Sequence, residues 1–190
     1  MISFKKYLQQ FPNYRHAAYE RALPFISELT IPAGDYFLRH GKISRTIAFI
    51  ESGLFRQYYL HEGKEVTSCF CRENTLTTSY KSLITQRESD IAIQAIEESR
   101  LKVISYNSLQ KLFENDLFWQ QVGRMAAENE FIVSETHNRF LKDLSATDRY
   151  LHILNDDQEL LQRVPLNYLA TYLQIAPETL SRIRNRTART

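Results

Sequence analysis

Cysteine and long hydrophobic runs are both scarce in this sequence, and each scarcity excludes a class of protein. Among 190 residues there are only two cysteines, Cys69 and Cys71, too few for a disulfide framework or for a four-cysteine zinc or iron–sulfur site made by this chain alone. No apolar stretch approaches the roughly 20 residues of a membrane-spanning helix, and the amino terminus has no secretory signal pattern. The sequence predicts a cytoplasmic protein with no membrane partner.

The sequence also has almost no excess of charge of one sign. Its 24 basic and 22 acidic residues leave a formal net charge of +2, which is too small to indicate nucleic-acid binding by itself. The hydrophobic share of 43% is ordinary for a globular protein. Any basic interface must therefore come from the placement of charge along the chain.

The patterns of common catalytic and metal sites are missing as well. The five histidines are scattered without metal-ligand spacing, and no nucleophile elbow, phosphate loop or paired catalytic carboxylate is visible. Cys69 and Cys71 would share one face of a strand, but two ligands do not make a metal site, and small buried hydrophobic side chains are the favoured interpretation. We expect no enzyme activity, no metal and no cofactor.

Glycine is scarce too, and its placement divides the chain. Four of the five glycines lie between Gly34 and Gly63, which concentrates the tight turns there. Short segments rich in aromatic and β-branched residues lie between and after these turns, and they predict an antiparallel β-sandwich or roll over about residues 28–106. A short helix that ends at Pro24 is expected to precede it.

From Asn107 onward the composition is typical of helices. Apolar residues recur at three- and four-residue steps and predict one long helix from about Asp116 to Lys142. Two interpretations stay open on this pattern: a helix packed on the side of the roll, or a two-chain seam with Asn129 and Thr136 at core positions that set the register. The predicted seam residues are Val122, Met125, Asn129, Ile132, Val133, Thr136 and Phe140.

The C-terminal region predicts a helix-turn-helix. Ser145, three residues before Asp148, favours a capped helix start, and Pro165 and Pro177 each open a further short helix. The last helix would expose side chains that combine base-reading chemistry with phosphate-binding charge. These are Glu178, Thr179, Ser181, Arg182, Arg184 and Arg186, continued by Arg189. The alternative is a solvated, arginine-rich surface of a small helical hairpin.

Four C-terminal segments resemble the DNA-binding end of the Crp/Fnr family of bacterial transcription regulators. They are 144–151, 161–166, 168–173 and 177–184, of which Glu-Thr-Leu-Ser-Arg at 178–182 is the most specific. The upstream order of glycine-rich roll, Ser52-Gly-Leu-Phe-Arg56 and long helix is similar to the same family. The resemblance implies an α+β fold. Residues 1–115 would be an N-terminal antiparallel β-roll of the cyclic-nucleotide-binding (jelly roll) type with its N-terminal helices, 116–142 a dimerisation helix, and 143–190 an all-α helix-turn-helix domain.

The resemblance also implies partners and residue roles. It implies a homodimer that places two recognition helices in successive major grooves of double-stranded promoter DNA, with Glu178, Ser181 and Arg182 at the base-reading positions. RNA polymerase is a further candidate partner. Two positions depart from the family pattern: Gln174 replaces the usual turn glycine, and Ala176 replaces the usual cap. The chain ends at Thr190, so the β-hairpin wing of many relatives is expected to be absent.

The effector pocket departs further from the family. The Gly-Glu pair that holds the ribose of a cyclic nucleotide falls on Thr78 and Ser79. The Arg-Ser pair for the cyclic phosphate falls on Ser89 and Asp90, so the phosphate-binding arginine is missing, and Arg87 would replace it only if the loop shifted by two residues. We therefore expect no cyclic-nucleotide binding in the family's usual mode, and the effector stays unidentified.

Two other classes of function remain. One is a small-molecule-binding roll that has lost DNA binding, for which the departures at Gln174 and Ala176 would be symptoms. The other is an enzyme of the cupin-like β-barrel type, which needs a metal-ligand cluster that the sequence does not show.

Overall fold

The computed structural model describes residues 2–187 and divides them into two compact units. The first comprises residues 2–59 and 69–128, and the second comprises residues 60–68 and 129–187. The tip of one β-hairpin is therefore grouped with the C-terminal helices rather than with the rest of the strands. Among the described residues, no helix is both long and apolar enough to cross a membrane.

The strands form two four-stranded antiparallel sheets, with strand orders β1-β8-β3-β6 and β2-β7-β4-β5. Their side chains alternate between the two faces of each sheet, and the inner faces bury apolar residues such as Ile50, Phe55, Ile93 and Leu101. The predicted antiparallel roll is confirmed. The strands are β1 Ile26–Ile31, β2 Tyr36–Leu38, β3 Thr46–Ser52, β4 Leu54–His61, β5 Lys64–Arg72, β6 Leu76–Thr77, β7 Ile91–Ala95 and β8 Ser99–Ser105.

The turn between β3 and β4 requires a glycine for two reasons. Gly53 has a φ of +107°, and a Cβ atom built there would lie 2.7 Å from the Cα of Ser99. Both the backbone conformation and the close approach exclude an L side chain. The Ser52-Gly-Leu-Phe-Arg56 motif thus marks a structural turn of the roll.

Helices cover the outer face of the first sheet. They are α1 Phe4–Leu8, α2 His16–Ala22, α4 Tyr106–Asn115 and the first part of α5, and a turn of 3-10 helix at Leu23–Phe25 precedes β1. Phe4, Phe49 and Trp119 pack together in this layer, and the Trp119 indole N–H donates to the Ala18 carbonyl at 3.1 Å. A further short helix, α3, spans Tyr80–Thr85.

Helix α5 spans Leu117–Asp143 and has 27 residues, close to the predicted boundaries. Its first turns are anchored by Phe118, Trp119 and Val122, which are buried. Residues 128–136 are all exposed. One helix therefore begins in the core of the first unit and ends in the second.

Four helices follow α5. They are α6 Ala146–Asp156, α7 Gln158–Arg163, α8 Leu166–Tyr172 and α9 Pro177–Thr187. The predicted cap at Ser145 is present, because its hydroxyl accepts from the Asp148 N–H at 3.2 Å. Helix α7 was not predicted, and Asp157 caps it by accepting from the Leu160 N–H.

Candidate functional site

Helices α8 and α9 form the predicted helix-turn-helix. Leu173 and Leu180 have no exposed surface, and Leu169 and Ile183 are also buried. The turn is tightened by a hydrogen bond from the Ile175 N–H to the Ala170 carbonyl at 3.0 Å. Apolar contacts and a backbone hydrogen bond therefore fix the angle between the two helices.

The outward face of α9 carries the residues that the sequence assigns to DNA. Glu178, Ser181, Arg182, Arg184 and Arg186 are exposed, and Thr179 is half-buried. Arg189 lies outside the described residues. The helix therefore presents polar side chains at its start and cations toward its end. The cations interact favourably with the negative end of the helix dipole.

Two of these arginines are hydrogen-bonded to threonine hydroxyls. The Arg182 guanidinium donates to Thr179 Oγ1 at 3.2 Å within the same helix. The Arg186 guanidinium donates to Thr147 Oγ1 of α6, also at 3.2 Å. Arg182 is thus held along the helix near Glu178 and Ser181, whereas Arg186 is directed toward the neighbouring helix.

The tip of the β4–β5 hairpin, residues 60–68, touches helix α8. The Thr171 hydroxyl accepts from the Thr67 N–H at 3.3 Å and is hydrogen-bonded to the Thr67 hydroxyl at 2.9 Å. Thr67 is only 2% exposed. The sequence analysis missed this contact, because the two threonines are 104 positions apart and nothing in the sequence pairs the segment that holds Thr171 with the hairpin tip.

The end of α5 is held by an aromatic cluster in the second unit. The His137 ring stacks on Tyr172 with a centroid distance of 4.9 Å, and Phe140 lies edge-on to His152 at 5.5 Å. Burial lowers the pKa of His137 below its usual value, because the charged imidazolium would lose its hydration. Phe140, assigned to the two-chain seam, therefore packs within its own chain.

The other predicted seam residues divide into two groups. Val122 is buried in the helical layer of its own chain and Met125 is half-buried. The four that follow, Asn129, Ile132, Val133 and Thr136, are exposed. Phe131, which the sequence analysis did not include, is 71% exposed, and Ile132 is 60% exposed. The middle of α5 thus presents large apolar side chains to solvent.

The predicted effector positions lie on and around α3. Ser79 and Ser89 are each 2% exposed, and their hydroxyls are hydrogen-bonded at 2.8 Å. The half-buried Thr78 hydroxyl lies 2.9 Å from the hydroxyl of Ser44. The hydroxyl groups at these three positions are therefore hydrogen-bonded within the protein.

The charged residues of the same loop face outward. Asp90 pairs with Lys81, with Oδ2 and Nζ 2.7 Å apart, and this hydrogen bond lowers the pKa of Asp90. Arg87 is exposed, and its carbonyl accepts from the Ser82 hydroxyl. The structure thus brings Thr78, Ser79 and Ser89 together and places Arg87 and Asp90 at the surface. Within residues 2–187, no three or more His, Cys, Asp or Glu side chains form a group that could hold a metal ion.

Comparison with known proteins identifies a matching domain family and a matching fold. Residues 28–116 match the model of the cyclic nucleotide-binding domain family. No curated protein matches the sequence.

Several solved structures are similar to most of the chain, and three of them are described here. FixK2 from Bradyrhizobium japonicum has a TM-score of 0.73 at 18% identity, over 85% of this chain and 83% of its own. The c-di-GMP-responsive regulator CLP of Xanthomonas campestris has a TM-score of 0.72 at 19% identity, over 92% of each chain.

A third similar structure carries the family name. It is a transcriptional regulator of the Crp/Fnr family from Eubacterium rectale, with a TM-score of 0.71 at 14% identity over 92% of this chain and 85% of its own. Residues 28–116 are therefore similar to cyclic nucleotide-binding domains, and the chain has the fold of Crp/Fnr transcription regulators. The resemblance seen in the sequence motifs is confirmed at the level of domain family and fold.

Proposed function

We propose that this protein is a homodimeric, sequence-specific DNA-binding transcription regulator, and not an enzyme. The observation that carries the proposal is the outward face of α9, where Ser181 and Arg182 stand exposed on a helix whose opposite face is buried. A recognition helix needs this arrangement, because its base-reading side chains must enter the major groove while the apolar face stays packed. RNA polymerase is a further proposed partner.

The roles of the α9 side chains follow from their positions. Arg182 lies one turn into the helix and suits a bidentate contact to a guanine edge, with Glu178 and Ser181 beside it. Arg184 and Arg186 lie in the last turn and suit phosphate contacts, which hold the helix in register without reading sequence. The arginine cluster therefore has two separable functions.

Dimerisation supplies the second half of the mechanism. The exposed apolar residues of α5 would form a parallel two-helix seam, and Asn129 at a core position would set its register. Two recognition helices then meet successive half-sites on DNA. A change in the angle of the α5 helices, or at the end of α5 near Asp143, would change the spacing of the recognition helices and hence the affinity for the operator.

A competition assay on double-stranded DNA tests the proposal. The preferred site is first selected from a random pool, and binding to it and to random DNA is then measured at several salt concentrations. We expect Arg182→Ala to lose about 1–3 kcal/mol of discrimination between the two. Arg186→Ala is the matched control and should weaken both DNAs alike, with a salt slope lower by about one unit.

Two outcomes would contradict the proposal. If Arg182→Ala weakens selected and random DNA equally, Arg182 is only a phosphate contact and the assigned reading face is wrong. If the wild-type chain retains no DNA from the pool, the chain is a small-molecule-binding roll without DNA binding.

A further inference from the structure

The two cysteines lie side by side on strand β5. Their Sγ atoms are 3.8 Å apart, and both side chains point into the space between the two sheets, where Cys71 is part of the apolar core. Cys71 is 7% exposed, whereas Cys69 is half-buried. Since the chain has no other cysteine, any intrachain disulfide must join this pair.

We propose that Cys69 and Cys71 form a reversible oxidation site whose substrate is a low-molecular-weight disulfide. The Cys69 thiolate attacks one sulfur of this disulfide, which forms a mixed disulfide and releases the first small thiolate. The Cys71 thiolate then attacks Cys69 Sγ, closes the intrachain disulfide and releases the second. The two protons lost by the cysteines go to the two released thiolates, and the two electrons reduce the disulfide.

The surroundings of the two thiols assign the two roles. Cys69 is the more exposed, so a small disulfide reaches it first. Cys71 is the resolving thiol, because the core shields it from solvent and its sulfur is already near that of Cys69. The Gln57 amide donates to Cys71 Sγ at 3.5 Å, a polar contact that partly offsets the cost of forming a thiolate in the apolar core.

The strand geometry makes the disulfide easy to reverse. Residues two apart on an extended strand have Cα atoms about 6.7 Å apart, which is the upper end of the range of about 4.4–6.8 Å found in disulfides. Closing the bond therefore contracts β5, and a strained disulfide is readily reduced. Because β5 is an edge strand that neighbours only β4, this contraction disturbs one strand pairing rather than two.

A contraction of β5 at Cys69 would displace the backbone at Thr67, two residues away on the same strand. Thr67 belongs to the hairpin tip and is hydrogen-bonded to Thr171 of helix α8, the first helix of the helix-turn-helix. We therefore expect oxidation to disrupt the Thr67–Thr171 contact and to change DNA affinity. This consequence rests on the proposed function, whereas the thiol chemistry does not.

Thiol counting in glutathione redox buffers tests the site directly. The reduced full chain is equilibrated at increasing ratios of oxidised to reduced glutathione, and the remaining thiols are alkylated and counted by mass spectrometry. We expect the count to fall from two to none on a chain of unchanged subunit mass, apart from the loss of two hydrogens. Dithiothreitol should restore both thiols.

Two serine variants separate the steps. Cys71→Ser should accumulate a stable mixed disulfide with glutathione at Cys69, whereas Cys69→Ser should react much more slowly because its remaining thiol is buried. The proposal is overturned if the wild-type chain keeps two thiols in oxidised glutathione, if it forms only disulfides between chains, or if the two variants react at equal rates. In that case the cysteines are small core side chains.

DNA affinity is measured on the same oxidised and reduced samples. A change in affinity in the wild type that is absent in Cys69→Ser supports the link to helix α8, and equal affinity overturns that link. If neither sample binds DNA while the thiol count falls to none, the proposed DNA function fails and the oxidation site stands.

Discussion

Gln174 has a strained backbone conformation in the turn of the helix-turn-helix. It has a φ of +51°, a left-handed conformation that disfavours any residue with a Cβ atom. The sequence raised this possibility, since Gln174 occupies the position that many Crp/Fnr regulators fill with glycine. The structure keeps the turn: Leu173 and Leu180 are buried on either side of it, and the Ile175 N–H donates to the Ala170 carbonyl across it.

We expect Gln174→Gly to raise the free energy of unfolding by about 0.5–1 kcal/mol, because glycine removes the left-handed strain at some cost in entropy. Urea denaturation of the full chain measures the change. Gln162→Gly is the matched control: Gln162 is exposed in α7, and glycine in a helix should lower stability by about 1 kcal/mol. Destabilisation by both variants would show that Gln174 is not strained.

At the scale of one element, α3 and its flanking loops carry the side chains that the sequence analysis assigns to an effector pocket. The three buried or half-buried hydroxyl residues, Thr78, Ser79 and Ser89, bond to protein partners. Asp90 is paired with Lys81, and this hydrogen bond lowers the pKa of Asp90. A cyclic phosphate entering here would meet no assigned arginine, and the nearby Lys81 ammonium is already paired with Asp90.

We therefore predict that cyclic AMP and cyclic GMP bind at best weakly. Isothermal calorimetry on the wild-type chain should detect no micromolar site for either nucleotide. Arg87→Ala serves as the control and should leave this result unchanged. A micromolar or tighter site in the wild type that Arg87→Ala abolishes would mean that the loop supplies its arginine two residues earlier than the family pattern implies.

At the scale of the whole molecule, helix α5 carries the proposed dimer seam. Its buried start ties it to the first unit, and its exposed middle carries Phe131, Ile132 and Val133. Apolar residues clustered on an exposed helix commonly mark a surface for a partner. Because α5 is about 40 Å long, a second copy of the same helix matches it in length and pattern.

We predict that Ile132→Lys converts a dimer to a monomer, since a lysine at the seam would bury a charge without a partner. Met125→Lys should act in the same direction. Sedimentation velocity at micromolar concentration distinguishes the two states. Ser134→Lys is the matched control, because Ser134 is exposed on the same helix but lies outside the seam, and it should stay dimeric. A wild-type chain that sediments as a monomer contradicts the prediction.

The features that could be predicted from the sequence are those that depend on residues close together along the chain. A capping hydroxyl at Ser145, a proline that opens α9, the alternation of strand residues and the period of α5 each depend on a few adjacent positions. The order of these elements then matched a known fold. The short helix α7 escaped prediction, because the polar run before it is typical of a loop.

Contacts between distant positions were decided only by the tertiary structure. The Thr67–Thr171 pair, the stacking of His137 on Tyr172 and the pairing of Ser44 with Thr78 join residues 104, 35 and 34 positions apart. Such pairs carry no local signal, since which side chains meet depends on how the sheets and helices pack. The sequence by itself determined the elements and which polar and basic side chains helix α9 carries. Packing determined which hydroxyls pair around α3 and which residues of α5 stay exposed, because burial is a property of the folded chain rather than of any segment of it.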